Sequence, residues 1–396
     1  MKEKLNNIYK NTSKNIGKRE IKNRVVFSFI DYPKVTIYGN KKASYLIKFI
    51  NNDNNRILYE TTINNECWTQ CAYQYYVNWR IEVYENNKLF NIHFFNLTNK
   101  KVYIHFDSTC LGDNLAWMPY VEEFRIKNKC KVVLSGFINN LFKEKYPEIT
   151  FVNPGYIIDN IYVKYTIGLY YKNENIDFFR NVCNFKTIPL QKIASDILGL
   201  EYKEIKPEIN TEFEREIEEK YICISPHASR KAKYWNLNGG WQEIIDWLNN
   251  NGYKVVLISQ EKNGDESEDL KNGKKLLNVI DKSGNFPLEN RIADLKYASA
   301  FIGLGSGLSW LSWATGTPVT LISGFSQDWC EFQSNCQRVI NKNVCHGCFN
   351  DSEINSNAWN ICPKLKNTSR EFECSKEISV NDVKIAIKNI LKDITN

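Results

Sequence analysis

Lys101-Val-Tyr-Ile-His-Phe106 runs into Asp107-Ser-Thr-Cys-Leu-Gly112 and then Asp113-Asn-Leu-Ala-Trp-Met-Pro119-Tyr-Val-Glu-Glu-Phe124-Arg-Ile-Lys-Asn128. Residues 102–106 predict a buried strand, 107–112 a loop, and 114–128 a helix. A strand, a loop and a helix in this order form half of a parallel βαβ unit. Outward from here the alternation continues, with strands at 131–135 and 150–152 flanking a helix at 138–146. A charged stretch, 201–220, predicts a further helix. The alternation then restarts, with strands at 221–225, 254–259, 300–303 and 319–322. Helices are expected at 241–251, 265–279, 289–298 and 309–315. These are two α/β domains in series.

Before residue 101 the texture is different. Short runs rich in Val, Ile, Tyr and Phe recur at 25–30, 34–38, 45–50, 56–62, 75–84 and 89–95, separated by Asn-rich or Gly-containing turns. That spacing predicts a small antiparallel sandwich or barrel. In 75–84, Val77, Trp79, Ile81 and Val83 alternate with polar residues, as in a strand with one buried face. After the α/β domains, 380–394 predicts an amphipathic helix. The expected division is a mobile arm (1–22), a β domain (23–100), two α/β domains (101–205 and 206–340), a cysteine-rich finger (341–378) and a terminal helix (379–396).

At 396 residues the chain is long enough for two or three domains. Hydrophobic residues at 43% and charged residues at 24% exclude wholesale disorder. Lys plus Arg exceed Asp plus Glu by 52 to 45, a surplus of +7. Without a dense basic run, that surplus suits an anionic small ligand and does not demand nucleic acid. The stretch from Met1 to Arg24 has no apolar core of signal-peptide type, and no run approaches the roughly 18 apolar residues of a membrane span. The expectation is a cytoplasmic protein whose 12 cysteines stay reduced.

Four segments can carry chemistry. Cys345-His-Gly-Cys348, with Cys362 and Cys374, offers four thiolates to one tetrahedral metal ion. Zinc is the default for that ligand set and iron the second choice. His346 is an alternative ligand for one of the cysteines. Four protein ligands leave no open position, so the site is structural. Second, Asp113 falls at a helix start beyond the carboxyl end of a parallel strand, where α/β sheets place ligands. The competing role is a helix N-cap, and Asp107 and Asp31 are competing carboxylates. Third, Ser225-Pro-His-Ala-Ser-Arg230-Lys-Ala-Lys233-Tyr-Trp235 is a basic loop between a strand and a helix, suited to a diphosphate. Fourth, Gly303-Leu-Gly305-Ser306-Gly307-Leu-Ser309-Trp310 exposes backbone N–H groups to phosphate oxygens. Its spacing is not that of a dinucleotide fingerprint.

Together the segments resemble a GT-B glycosyltransferase. Leu111-Gly-Asp-Asn-Leu-Ala-Trp-Met-Pro119, Lys233-Tyr-Trp235 and Ser306-Gly-Leu-Ser309 are similar to the ADP-heptose heptosyltransferases. The N-terminal β domain, the run from Gly303 to Trp313, Ile322-Ser-Gly-Phe325 and the four-Cys finger narrow the resemblance to the bacterial autotransporter heptosyltransferases. It covers nearly the whole chain. It implies a GT-B-like pair of Rossmann-type domains, with 101–205 on the acceptor side and 206–340 holding the nucleotide sugar. It also implies ADP-heptose as donor and Ser (or Thr) of an adhesin-type autotransporter as acceptor, with inversion at the anomeric carbon. Asp113 is then the general base. The donor contacts are expected from Ser229, Arg230, Lys233, Trp235, Gly305, Ser306, Gly307, Leu308, Ser309 and Trp310. Iron in the finger and a dodecameric ring, with the β domain mediating self-association, are further implications. Lipopolysaccharide heptosyltransferases carry Asp-Thr-Gly-Leu-Ser-His in the late loop. Here Gly305 stands in place of that Asp, Ser306 of Thr and Trp310 of His, so the sugar contacts differ. The alternatives are transfer from another nucleotide sugar or to a non-protein acceptor, and a non-catalytic sugar-nucleotide-binding assembly protein.

Overall fold

The computed structural model describes residues 21–173, 175–264, 275–354 and 359–391. The N-terminal part forms two antiparallel sheets. One has the order β1-β2-β5, from β1 (Arg24–Ser28), β2 (Lys34–Tyr38) and β5 (Trp68–Gln70). The other has the order β4-β3-β6-β7, from β3 (Ser44–Asn51), β4 (Arg56–Asn64), β6 (Trp79–Glu85) and β7 (Lys88–Phe94). Tyr45, Ile47 and Phe49 of β3 and Ile81 and Val83 of β6 are fully buried, every second residue, as one buried face requires. β6 begins at Trp79, later than the sequence predicts. The backbone before it is engaged elsewhere: the Tyr76 N–H donates to the Ile197 carbonyl and the Asn78 carbonyl accepts from Asn52, each at 2.8 Å.

The first α/β sheet contains β8 (Lys101–Phe106), β9 (Lys131–Ser135), β10 (Thr150–Val152) and β11 (Val163–Ile167), all parallel, in the order β10-β9-β8-β11. A parallel bridge between Phe29 and Val163 ties it to the β sheets. Its long helix is α1 (Leu111–Asn128), and α2 (Leu190–Ile197) lies against α1. Tyr171–Lys172 (β12) and Asn175–Ile176 (β13) pair as a small antiparallel ladder. The helix predicted at 138–146 is instead a single 3-10 turn, Asn139–Leu141. Asn139 is buried and donates its amide to the Val152 carbonyl at 2.7 Å, and Pro147 ends any continuation.

No helix forms at 201–220 either. Ile205, Ile209, Phe213 and Ile217 recur at helical spacing, but the segment forms neither helix nor strand. Its backbone partners are side chains. Gln191 brackets Ile205, accepting from its N–H at 3.2 Å and donating to its carbonyl at 2.6 Å. The Tyr120 hydroxyl donates to the Lys203 carbonyl, and Tyr297 donates to Phe213 at 2.6 Å. Tyr146 accepts from the Glu208 N–H at 3.0 Å. Once tertiary partners satisfy these groups, the helical ladder is not needed.

The second α/β sheet has six parallel strands in the order β16-β15-β14-β17-β18-β19. They are β14 (Tyr221–Ser225), β15 (Lys254–Leu257), β16 (Ile280–Asp281), β17 (Phe301–Leu304), β18 (Val319–Ile322) and β19 (Cys336–Val339). Its helices are α3 (Gly240–Asn250), α4 (Leu288–Lys296) and α5 (Gly307–Thr315). Of the helix predicted at 265–279, residues 265–274 lie outside the described residues, and 275–279 are not helical. A one-turn helix, α6 (Glu373–Lys376), precedes α7 (Val380–Ile390), which a Ser379/Asp382 capping box opens. Burial of Val383 and Ile387 packs α7 back on β18 and β19. No helix among the described residues is long and apolar enough to cross a membrane.

One hydrophobic core runs through both lobes. Trp117 of α1 belongs to the same cluster as Trp310, Trp313 and Phe332. Trp313 stacks on Phe332 at 4.9 Å, and Trp310 meets Phe332 edge-on at 5.0 Å. α1 and α5 touch at two glycines. A Cβ on Gly112 would come within 3.0 Å of the Trp310 ring, and one on Gly307 within 2.8 Å of the Leu111 Cβ. The Leu111 Cβ is fixed to backbone and cannot rotate away. Gly307→Ala is therefore expected to part the lobes and cost about 1–3 kcal/mol. A thermal melt checks this, and an unchanged midpoint would show that the contact is looser than its geometry.

Candidate active site

A cleft of about 690 Å³ separates the lobes. Its walls come from loops at the carboxyl ends of β8, β14, β15, β17 and β18. In the first sheet, β9 and β10 lie to one side of β8 and β11 to the other. In the second sheet the strand order reverses between β14 and β17. Both are topological switch points, where neighbouring loops diverge and open a crevice. The two switch points line this one cleft.

On the first lobe, Asp113 lines the cleft from the opening turn of α1. Cys110 occupies the N-cap position and makes no side-chain cap, so Asp113 is not the helix cap. Its Oδ2 accepts a 2.6 Å hydrogen bond from the Ser108 hydroxyl, and that hydroxyl in turn accepts from the Cys110 N–H at 3.1 Å. Burial raises the Asp113 pKa above the ordinary carboxylate value; the Ser108 hydrogen bond and the Lys233 charge oppose the rise without cancelling it. Gly112 serves the contact with Trp310, a partner almost two hundred residues away that no local motif marks. Asp107 lies outside the cleft lining, and Asp31 borders a separate pocket with Tyr170 and Arg180.

On the second lobe, a 3-10 turn, Lys231–Lys233, brings Lys233 into the cleft, with its ammonium 5.9 Å from the Phe325 ring centre. The floor is the N-terminus of α5. Ser306 makes no cap, and the first backbone bond of the helix is Trp310 N–H to the Ser306 carbonyl at 3.4 Å. The amides of Gly307, Leu308 and Ser309 are thus left open, and the buried Ser306 hydroxyl has no partner among the described residues. Open amides and the positive end of a helix suit an anionic group.

Ser229, Lys233, Gly305, Ser306, Gly307, Leu308 and Trp310 line the cleft. Three of the expected donor residues do not. Trp235 is buried in the second lobe, its indole N–H bonded to the Ile378 carbonyl at 3.0 Å and its ring edge-on to Trp241. Ser309 is fully buried, its hydroxyl donating to the Leu304 carbonyl. Arg230 is exposed, and among the described residues its guanidinium reaches only the Ser229 carbonyl. Gln260, Glu261, Phe286, Arg291, Ser323 and Glu331 also line the cleft and were missed. Arg291 sits on α4 and the others on loops beyond strands, with no local motif to mark them.

The finger differs from its expected form. Among the described residues, no group of three or more His, Cys, Asp or Glu is arranged to hold a metal ion. The segment also has a small apolar core of its own, where Phe325, Phe372 and Cys362 pack with Phe349 and Trp359. The four thiols are nevertheless neighbours. The Cys348 and Cys374 thiols are pushed up to about 12, first by burial and then by the other cysteines of the set. An all-sulfur donor set of that kind suits iron or zinc, whose binding would displace the thiol protons. The Nδ1 of His346 is hydrogen-bonded to the Val344 carbonyl at 2.8 Å.

Facing switch points, a carboxylate on one wall and an anion cradle on the other define a GT-B-type glycosyltransferase. Residues 181–353 match glycosyltransferase family 9 (heptosyltransferase). The autotransporter heptosyltransferase BAHTCr of Citrobacter rodentium is 34% identical over 379 residues, covering 92% of this chain and 89% of that protein. The crystal structure of TibC from enterotoxigenic Escherichia coli, an iron-containing dodecameric glycosyltransferase, matches with a TM-score of 0.86 and 31% identity, covering 94% of this chain and 97% of the other. A second TibC structure, in complex with ADP-D-beta-D-heptose, gives a TM-score of 0.85 at 31% identity, over 94% and 96%. BimC of Burkholderia thailandensis, an inactive autotransporter heptosyltransferase, is 30% identical over 325 residues, 80% of this chain and 75% of that protein. The chain belongs to the autotransporter heptosyltransferases.

Proposed function

We propose that this chain transfers heptose from ADP-heptose to Ser, and secondarily Thr, hydroxyls of an autotransporter-type protein in the cytoplasm, with inversion at the anomeric carbon. The observation that carries the reading is Asp113 and Lys233 on opposite walls of one cleft, above the open amides of α5. Asp113 takes the proton of the acceptor hydroxyl as its oxygen bonds to the anomeric carbon. The bond from that carbon to the diphosphate breaks, and ADP leaves with the electron pair. Lys233 and the amides of Gly307 and Leu308 stabilise the charge that grows on it. The raised pKa of Asp113 supports this role, because a base nearer neutrality takes up a proton more readily. An inactive relative makes activity the point to test. The experiment is co-expression with candidate adhesins followed by intact-mass analysis. Increments of whole heptose units are expected, and increments of another sugar would replace the donor.

Cys345, Cys348, Cys362 and Cys374 would hold one structural metal, iron ahead of zinc, because TibC is iron-containing. The metal would brace the finger and take no part in transfer. Elemental analysis should find about one equivalent of iron plus zinc per chain, and Cys348→Ser should lower solubility more than turnover. Less than about a tenth of an equivalent would sink the assignment. Self-association is part of the same reading. Ile57 and Tyr59 of β4 and Leu89 and Phe94 of β7 are exposed on the two edge strands of one sheet, which favours pairing with another copy. The dodecamer of TibC is the assembly expected.

A further inference from the structure

Glu331 lines the cleft from the loop after β18. Its Oε2 is committed to the Arg338 guanidinium at 2.8 Å, and the two side chains are only 11% and 8% exposed. Arg338 is held in turn by the Phe332 carbonyl at 2.8 Å, and the Gln333 amide donates to the Glu331 carbonyl at 2.7 Å. The carboxylate is therefore fixed in place. Its other oxygen, Oε1, lies 3.0 Å from the point that a Cβ on Gly305 would occupy. Among the described residues no hydrogen bond to Oε1 is formed. Glu331 lines the cleft, so Oε1 is available to accept from a ligand held there. A structural ion pair with Arg338 has no need of bare backbone on the opposite side. Gly305 supplies that bare backbone, one residue before the Ser306 that opens the anion cradle.

We propose that Glu331 Oε1 accepts a hydrogen bond from a hydroxyl of the donor's sugar, so that Gly305, Glu331 and Arg338 together select the sugar. This rests on the reading of the cleft as a nucleotide-diphosphate-sugar site. The sugar hangs from the phosphate beyond the α5 amides, and Glu331 stands where its hydroxyls pass. A site built to accept from a sugar hydroxyl discriminates strongly against a ligand that lacks it.

The test is calorimetric titration of the full-length parent, Glu331→Gln and Gly305→Ala with ADP and with ADP-heptose. In both variants ADP affinity is expected within about threefold of the parent, while ADP-heptose affinity falls by about tenfold or more. Gly305→Ala keeps the ion pair and crowds only Oε1, so it decides on the same criteria if Glu331→Gln fails to melt cooperatively. ADP and ADP-heptose weakening together would give Glu331 a purely structural role and overturn the proposal. A parent that distinguishes the two ligands, with variants that keep the distinction, overturns it alone. A parent that binds neither overturns the donor reading and this inference with it.

Discussion

Asp113→Asn is expected to bind ADP-heptose as the parent does and to transfer none of it. The amide keeps the shape of the carboxylate and can still accept from the Ser108 hydroxyl, which donates to Oδ2 at 2.6 Å. It cannot take up the acceptor's proton. A positioned general base contributes about 10²–10⁴-fold, so turnover should fall by at least that range. The pH profile gives a second readout. The parent's kcat/KM should decline toward acid as Asp113 becomes protonated. Burial sets that decline at a higher pH than an ordinary carboxylate would. Near-parental transfer by the variant would remove Asp113 from the reaction.

Lys233→Ala is expected to lower kcat/KM by on the order of 10²-fold or more, the scale for deleting a pre-aimed electrostatic group. Its second effect follows from charge. The Lys233 ammonium favours the ionised form of Asp113. Without it the Asp113 pKa rises further, and the acidic limb of the profile moves to higher pH. A loss under about threefold with an unmoved limb would place Lys233 in solvent, away from the departing diphosphate.

The strands of both parallel sheets were legible where short apolar runs are bounded by polar or glycine-containing turns, as at Tyr221–Ser225 and Val319–Ile322. The stretch 201–220 misled because Ile205, Ile209, Phe213 and Ile217 imitate a helix. Only the distant Gln191, Tyr120, Tyr146 and Tyr297, which occupy its backbone, account for the irregular path. At the site, Asp113, Lys233 and Ser306 carried local signals in loops after strands. Trp235 and Ser309 sit in the same motifs yet point into the core, a difference that depends on packing the motif does not encode. Glu331 carried no signal at all, since its position on the loop after β18 is set by Arg338 of β19.

The shared core of α1 and α5 has a consequence for how the chain is made. α1 meets α5, and the Trp310, Trp313 and Phe332 group packed with it, only when residues far along the polypeptide are available. During synthesis the first lobe emerges with one face of α1 uncovered, and it stays uncovered until the ribosome has passed residue 332. Such a nascent chain carries an apolar surface for much of its elongation, the condition under which chaperones are engaged and premature termination yields aggregates.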